Sequence, residues 1–408
     1  MLSLGIVGLP NAGKSTLFNA LTRARAQVAS YPFTTIDPNV GVVTVPDSRL
    51  STVAKLAKAE RVTPTAVRFV DIAGLVKGAS RGEGLGNRFL GHIREVDAIV
   101  HVVRCFVNPD VAHVDGDLDP ARDVETVNTE LILADIDTVS RRMHKTESML
   151  KTGDKKYRAE LDILTELEAF LNSGRPAREM ELSGDDRAVV DELFLLTMKP
   201  VMYVANLPEE AVEKAPQFMR VQGWTDEMPS EESRPAVGGS PLATVAGGTD
   251  ALVDPGALGP GLGEMLRTLA RAIRGAPMVP VCAELERQVG DLSAEEASQY
   301  LAAMGLERSA LDNVILVGYQ LLGLITFFTI KGPETRAWTV SRGTPAPVAA
   351  GKIHSDMERG FIKAEVIPWT DLVKEGSFHA AREHGRVRIE GKEYQIQDGD
   401  VVLFKFNV

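Results

Sequence analysis

Gly8-Leu9-Pro10-Asn11-Ala12-Gly13-Lys14-Ser15, residues 8–15, is the stretch on which the fold of this 408-residue chain turns. It has the spacing G-x-x-x-x-G-K-[ST] and stands between the apolar run Leu4 to Val7 and a helical pattern carried by Leu17, Phe18 and Leu21. Strand, glycine-rich loop and helix in that order are what phosphate binding requires, because the glycines let backbone N–H groups curl around anionic oxygens at a helix N-terminus. Lys14 would neutralise charge on the β- and γ-phosphates, and the Ser15 hydroxyl would go to Mg²⁺. Asn11, Ala12, Gly13, Lys14, Ser15 and Thr16 are therefore the candidate nucleotide-binding residues, with Lys14 also counted as catalytic.

Working outward, Asp71-Ile72-Ala73-Gly74 follows the strand-like run Val67 to Val70 and has the form D-x-x-G. Asp71 could hold magnesium through water, and the Gly74 N–H could sense a γ-phosphate. The run of Gly78, Gly82, Gly84 and Gly86 after it completes the pattern of a second switch. Between the two motifs, Thr34 and Thr35 in Tyr31-Pro32-Phe33-Thr34-Thr35 offer hydroxyls for a first switch, and Thr35 is expected, with Ser15, as a metal ligand.

Short strand runs alternating with helical patterns over residues 1–120 predict a doubly wound α/β domain. From Asp123, Ile132, Ile136, Val139, Met143, Thr146 and Leu150 step by four and three, the spacing of one helical stripe; Tyr157, Leu161, Leu164 and Leu171 carry a second helix after Gly153-Asp154. The expected organisation is a P-loop domain over 1–122 and 199–290, interrupted by a helical coiled-coil hairpin at 123–198. A helical connector at 291–320 and a small C-terminal module at 321–408 follow. Residues 234–263 hold eight Gly and four Pro, the composition of a flexible loop.

Composition narrows the class. A hydrophobic content of 44% with 25% charged residues is that of globular chains. Two cysteines, Cys105 and Cys282, cannot build a disulfide framework and suit a cytoplasmic location. The apolar stretch Val314 to Phe328 falls short of the ~20 residues a membrane helix needs, so no membrane partner is expected. The net charge of −11 argues against indiscriminate coating of nucleic acid, and DNA is not an expected partner. Residues 140–158 nevertheless carry seven basic groups against two acidic ones, a charge run that suits either phosphate contact or a merely solvated helix face.

The phosphate loop, the Pro-Phe-Thr-Thr-Ile-Asp-Pro-Asn run from Pro32 and Asp-Ile-Ala-Gly-Leu-Val from Asp71 resemble the Obg group of P-loop GTPases. His-Val-Val-Arg-Cys-Phe from His101, His-Ser-Asp-Met-Glu-Arg-Gly-Phe-Ile from His354 and the C-terminal run from Gln397 resemble, more narrowly, its YchF or Obg-like ATPase subfamily. The resemblance covers nearly the whole chain and implies that the C-terminal module is a TGS domain of β-grasp type. It also implies ATP in preference to GTP, which agrees with the residues: where guanine readers carry N-K-x-D, this chain has Asn206-Leu207-Pro208-Glu209. Asn206 could offer its amide to adenine, Leu207 could pack on the base or present backbone, and Cys282 would lie in the loop covering it. Glu209 reaching guanine is the competing reading. Leu75 occupies the position of a water-orienting glutamine, so slow turnover is expected, and the resemblance points to His113 as the substitute and to Asn11 as a holder of K⁺. The implied partner is the ribosome or ribosomal RNA, of the large subunit. The expected function is a slow ATPase switch acting in translation or stress regulation; a GTP-specific ribosome-assembly factor and a nucleotide-stabilised binding scaffold are the alternatives.

Overall fold

Ser3–Val7 (β1) is buried along its whole length because it runs through the middle of a six-stranded sheet with cover on both faces. The computed structural model describes residues 1–26, 39–72, 74, 85–108, 117–150, 155–214, 258 and 260–407. The first sheet contains β1, β2 (Val40–Thr44), β4 (Ala66–Asp71), β5 (Ala98–Arg104), β6 (Val201–Asn206) and β7 (Met278–Val281) in the spatial order β2-β4-β1-β5-β6-β7. Only β2 runs antiparallel to its neighbour. The chain leaves β1 first toward β4 and then toward β5, which opens a crevice at the C-terminal end of β1, the usual ligand position in such sheets. Helices α1 (Lys14–Ala26) and, past β4, α3 (Leu85–Glu95) contribute Leu17, Leu21, Phe89 and Ile93 to the core around this sheet.

The long helix α4 (Pro120–Leu150) is buried on two faces in turn. Val124, Val127 and Leu131 join the core of the first sheet, whereas Ile132 and Val139 pack with Leu164, Leu167 and Leu171 of α5 (Lys155–Asn172). The expected stripe is therefore an inter-helix seam. One of its members is polar: buried Thr146 donates to Glu160 Oε1 at 2.8 Å. Asp135 anchors the hairpin to the 3-10 turn that precedes β6, accepting from Leu196 N, Thr197 N and Thr197 Oγ1 at 2.8, 2.7 and 2.6 Å. Burial raises its carboxyl above the ordinary range while these donors pull it back.

The basic count over 140–158 overstates the local field, because carboxylates outside that window answer it. Arg141 pairs with Asp137, Arg142 with Glu160 and Glu192, and Arg158 with Asp162. Lys151, Gly153 and Asp154 lie outside the described residues.

The second sheet, order β11-β10-β12-β8-β9-β3, differs from expectation in where its members come from. β8 (Leu324–Lys331), β9 (Glu334–Ser341), β10 (Phe361–Pro368), β11 (Arg388–Glu390) and β12 (Asp400–Phe406) belong to the C-terminal part, but β3 (Arg61–Thr63) comes from the N-terminal part and pairs parallel with β9. Helix α2 (Ser48–Leu56) goes with it, burying Leu50 and Val53 against Phe328, Ala337, Ile367, Leu372 and Val401. Residues 48–63, expected among the nucleotide-binding residues 1–122, are thus built into the C-terminal core. A three-residue strand, Arg-Val-Thr, has no periodicity to read, and the short apolar face of α2 does not say which sheet will cover it.

The expected connector is also more than a link. The helix Ala310–Leu321 buries Val314, Ile315 and Val317 in the first core, and Gly318 lies so close to β1 that a Cβ there would stand 2.7 Å from Leu4 Cδ1. The apolar stretch Val314 to Phe328 is divided between this helix and β8, and no described helix is long and apolar enough to cross a membrane. Of the Gly/Pro-rich span, residues 234–257 and 259 lie outside the described residues; the helix Pro260–Ala272 takes up its last four residues, with Pro at its first position.

Candidate nucleotide-binding site

Two glycines of the loop between β1 and α1 are dictated by close approach. Gly8 has φ 149°, and a Cβ on it would stand 2.4 Å from the Val102 carbonyl oxygen of β5. Gly13 has φ 94°, and its Cβ would meet Asn206 Nδ2 at 2.2 Å. Asn11 between them is left-handed at φ 63°, a conformation asparagine tolerates better than most residues. Leu17 N donates to Gly13 O at 2.9 Å, so α1 starts directly from the loop and its first-turn amides have no intrahelical acceptor, the condition for binding an anion there. Ala12 is buried under the loop, and Thr16 is half-buried in the first turn.

Lys14 is buried and donates from Nζ to the Leu9 carbonyl at 2.8 Å. Burial lowers its pKa below the ordinary lysine value, and the Asp71 charge opposes that shift. Gly74 lies beside it: a Cβ on Gly74 would be 3.0 Å from Lys14 Nζ and 3.4 Å from Pro10 N. Ser15 Oγ donates to Asp71 Oδ2 at 2.9 Å, while buried Asp71 Oδ1 has no hydrogen-bond partner among the described residues. Burial raises the Asp71 carboxyl, against the pull of the Ser15 hydrogen bond and the Lys14 charge. A carboxylate oxygen without a donor, next to a serine hydroxyl at the loop, fits a divalent cation shared by these two side chains.

Asn206 sits at this site with a structural role beside the expected one. Its Nδ2 donates to the Ala12 carbonyl and its Oδ1 accepts from Ala283 N, each at 3.0 Å, with the residue 4% exposed. One Nδ2 hydrogen and one Oδ1 lone pair are used by backbone, so Asn206 braces the phosphate loop against the helix Ala283–Val289, while the amide keeps a second Nδ2 hydrogen beyond these two bonds. The reason is positional: it ends β6 in the core, where each of its polar atoms must find a partner. Leu207 packs in the core and its N–H goes to Val281 O at 2.8 Å, so its backbone donor is likewise spoken for. Cys282 caps the helix Ala283–Val289 and is buried, which pushes its thiol up to about 11 against the backbone amides of Leu285 and Glu284; the neighbouring Glu209 carboxylate adds to the rise. The thiol is therefore a packing group at neutral pH.

The place of His101 behind the loop had no distinguishing signal in the sequence. His101, in the middle of β5, is 2% exposed, meets the Tyr203 ring at a tilt of 39° with centroids 5.2 Å apart, and has no partner on Nε2 among the described residues. Burial, with the Lys14 and Arg178 charges, pushes it down to about 3, so it is neutral. A histidine inside an apolar run reads only as core, and its proximity to Lys14 follows from the pairing of β1 with β5. Thr34, Thr35 and His113 lie outside the described residues. The structure brings together the loop residues Asn11 to Thr16, Asp71, Gly74, Asn206, Leu207 and Cys282.

Residues 3–151 match the family described as 50S ribosome-binding GTPase, and residues 324–407 match the YchF-GTPase C-terminal family, described as a protein of unknown function. The chain is 45% identical over 407 residues to the ribosome-binding ATPase YchF of Bacillus subtilis, each covered in full. It is 44% identical over 404 residues to the protein of the same name from Escherichia coli O157:H7, covering 99% of both. Among solved structures, the YchF GTPase of Schizosaccharomyces pombe is similar with a TM-score of 0.80 and 31% identity, over 99% of this chain and 97% of that one.

Proposed function

This chain belongs to the YchF family of Obg-like P-loop NTPases, and on that premise we propose that it is a ribosome-binding ATPase. It hydrolyses ATP slowly to ADP and phosphate and serves as a nucleotide-dependent switch in translation or stress regulation. The observation that carries this is the convergence of Lys14, Gly74 and the Ser15–Asp71 pair at the end of β1. The triphosphate lies along the loop amides, with Lys14 against the β- and γ-phosphates and the Gly74 N–H toward the γ-phosphate. Mg²⁺, when bound, neutralises charge on those phosphates, and Ser15, Thr35 and, through water, Asp71 are the groups to hold it. Asn11 is the group to hold K⁺ as a supplementary charge.

With one Asn206 donor and one lone pair used in bracing, base choice falls to its second Nδ2 hydrogen, the segment from Leu207 to Glu209 and the Cys282 cap. ATP preference rests on the missing lysine and aspartate of the guanine signature and on the ATPase relatives. A competition titration with a fluorescent nucleotide tests it: ATP is expected to displace the probe at lower concentration than GTP. The reverse order would move the function to the guanine reading, in which Glu209 takes the role of the usual aspartate.

Leu75 cannot hydrogen-bond water, so orientation of the attacking water falls to His113. Replacing His113 by Ala is expected to lower turnover about 10²-fold while leaving ATP affinity within about twofold. Unchanged turnover would remove it from the mechanism. The ribosomal contact is assigned to the large subunit, following the 50S description of the matching family, with the α4–α5 hairpin and the C-terminal module as the surfaces that meet it in the cytoplasm.

A further inference from the structure

One of the segments that join the two sheets starts and ends at the nucleotide site. β2 and β4 form an antiparallel ladder from Val40↔Val70 to Thr44↔Ala66, extended by Asp71 N to Asn39 O at 2.8 Å at one end and Val45 N to Thr65 O at 3.0 Å at the other. Asp71, the partner of Ser15, therefore ends one strand of a stiff ribbon whose opposite end lies roughly 17 Å away, at about 3.3 Å per residue over five residues. At that far end the ribbon opens into α2 and β3, which are structural members of the C-terminal core.

Three kinds of contact make this a fixed joint. Leu50 and Val53 are in the apolar core with Phe328 and Val401. Backbone pairing locks β3 to β9, with Glu60 N and Arg61 N both donating to Pro333 O and Thr63 Oγ1 donating to Glu334 Oε1 at 2.8 Å. Arg49 forms the third: it holds Asp47 through two hydrogen bonds of 2.9 and 2.8 Å and pairs with Asp398, the Arg49 and Asp398 side chains being 11% and 8% exposed. Asp398 in turn accepts from Thr326 N of β8 at 2.8 Å. The buried ion pair thus connects α2 to the turn before β12 and to β8 together, and neither charge can be left alone at low cost.

We propose that the β2–β4 ribbon, seated in the C-terminal core through α2, β3 and the Arg49–Asp398 pair, couples the nucleotide site to the C-terminal module. The state of the phosphates at Asp71 then changes how firmly α2 and β3 hold the second sheet, and by reciprocity the hold on that sheet changes the relative affinity for ATP and ADP. This rests on the reading of the loop as a Mg-ATP site. It makes Arg49 a positioning residue, remote from the phosphates.

Hydrogen exchange read by mass spectrometry on the full chain tests it, with Mg²⁺ and a non-hydrolysable ATP analogue, with Mg-ADP, and without nucleotide, binding of each being checked by calorimetry. Amides of 324–328 and 398–401 are expected to exchange at rates differing at least fivefold between the ATP-analogue and ADP states of the wild type. In Arg49→Met and Asp398→Asn that difference is expected to fall below twofold, and the ratio of ATP-analogue to ADP affinity to shift at least threefold. Should either variant fail to fold, the wild-type comparison decides alone: nucleotide binding with identical exchange in both segments overturns the coupling. A full nucleotide difference retained in a folded variant overturns the role of the ion pair. Absence of nucleotide binding in the calorimetry instead overturns the reading of the site.

Discussion

Replacing Lys14 by Ala is expected to lower single-turnover ATP hydrolysis by about 10²- to 10³-fold, the loss typical when one preorganised charge or donor is removed from a developing anion. The magnitude follows from its surroundings. The ammonium group is buried, lies beside Gly74 and donates to the Leu9 carbonyl, with Asp71 as the nearby opposite charge, so its charge is shielded little by water. Desolvation lowers its pKa in the nucleotide-free protein, and an arriving triphosphate restores the preference for the charged form, giving the interaction its strength where charge accumulates. The same variant addresses the switch: the wild type is expected to cosediment with ribosomes more with an ATP analogue than with ADP, and Lys14→Ala to lose that difference. Hydrolysis within tenfold of wild type would remove Lys14 from the phosphate site. Equal cosedimentation of the wild type with both nucleotides would leave a scaffold whose turnover is incidental.

Replacing Asn206 by Ala is expected to cost about 3 kcal/mol of stability and to weaken ATP and GTP binding together. The estimate comes from the two buried groups stripped of partners, the Ala12 carbonyl and the Ala283 N–H, at roughly 1–3 kcal/mol each. Thermal melts and paired nucleotide titrations separate this from the base-reading role that the sequence suggests. A brace lowers the melting temperature and both affinities; a base reader leaves the melt unchanged and erases only the preference between ATP and GTP. The second pattern would sink the brace.

Much of the site was legible because it is local in sequence. In residues 8–16 and in the D-x-x-G run from Asp71 the signal lies in short spacings, and the structure places Ser15 on Asp71 and Gly74 beside Lys14. Asn206 was legible as an amide at a strand end, but its bracing of Ala12 and Ala283 was not, because that depends on how close α1 approaches β6. His101 was legible only as the start of a family-like run; its proximity to Lys14 exists only once β1 and β5 pair side by side.

The helical hairpin was legible through the stripe from Ile132 to Leu150, whose four-and-three spacing survives as the α4–α5 seam. Its charge was less so, because Asp137, Glu160, Asp162 and Glu192 reach the basic residues from outside the counted window.

From the chain alone came the nucleotide fold, the phosphate loop and the inserted helices, all of them written in short-range patterns: β-strand runs, a glycine spacing, a helical period. Only the tertiary structure decided that residues 48–63 complete the C-terminal core and that Arg49 pairs with Asp398 across 349 positions of sequence. Apolar burial has no direction along the chain: Leu50 and Val53 needed cover, and which sheet supplied it was set by the path of the β2–β4 ribbon through space.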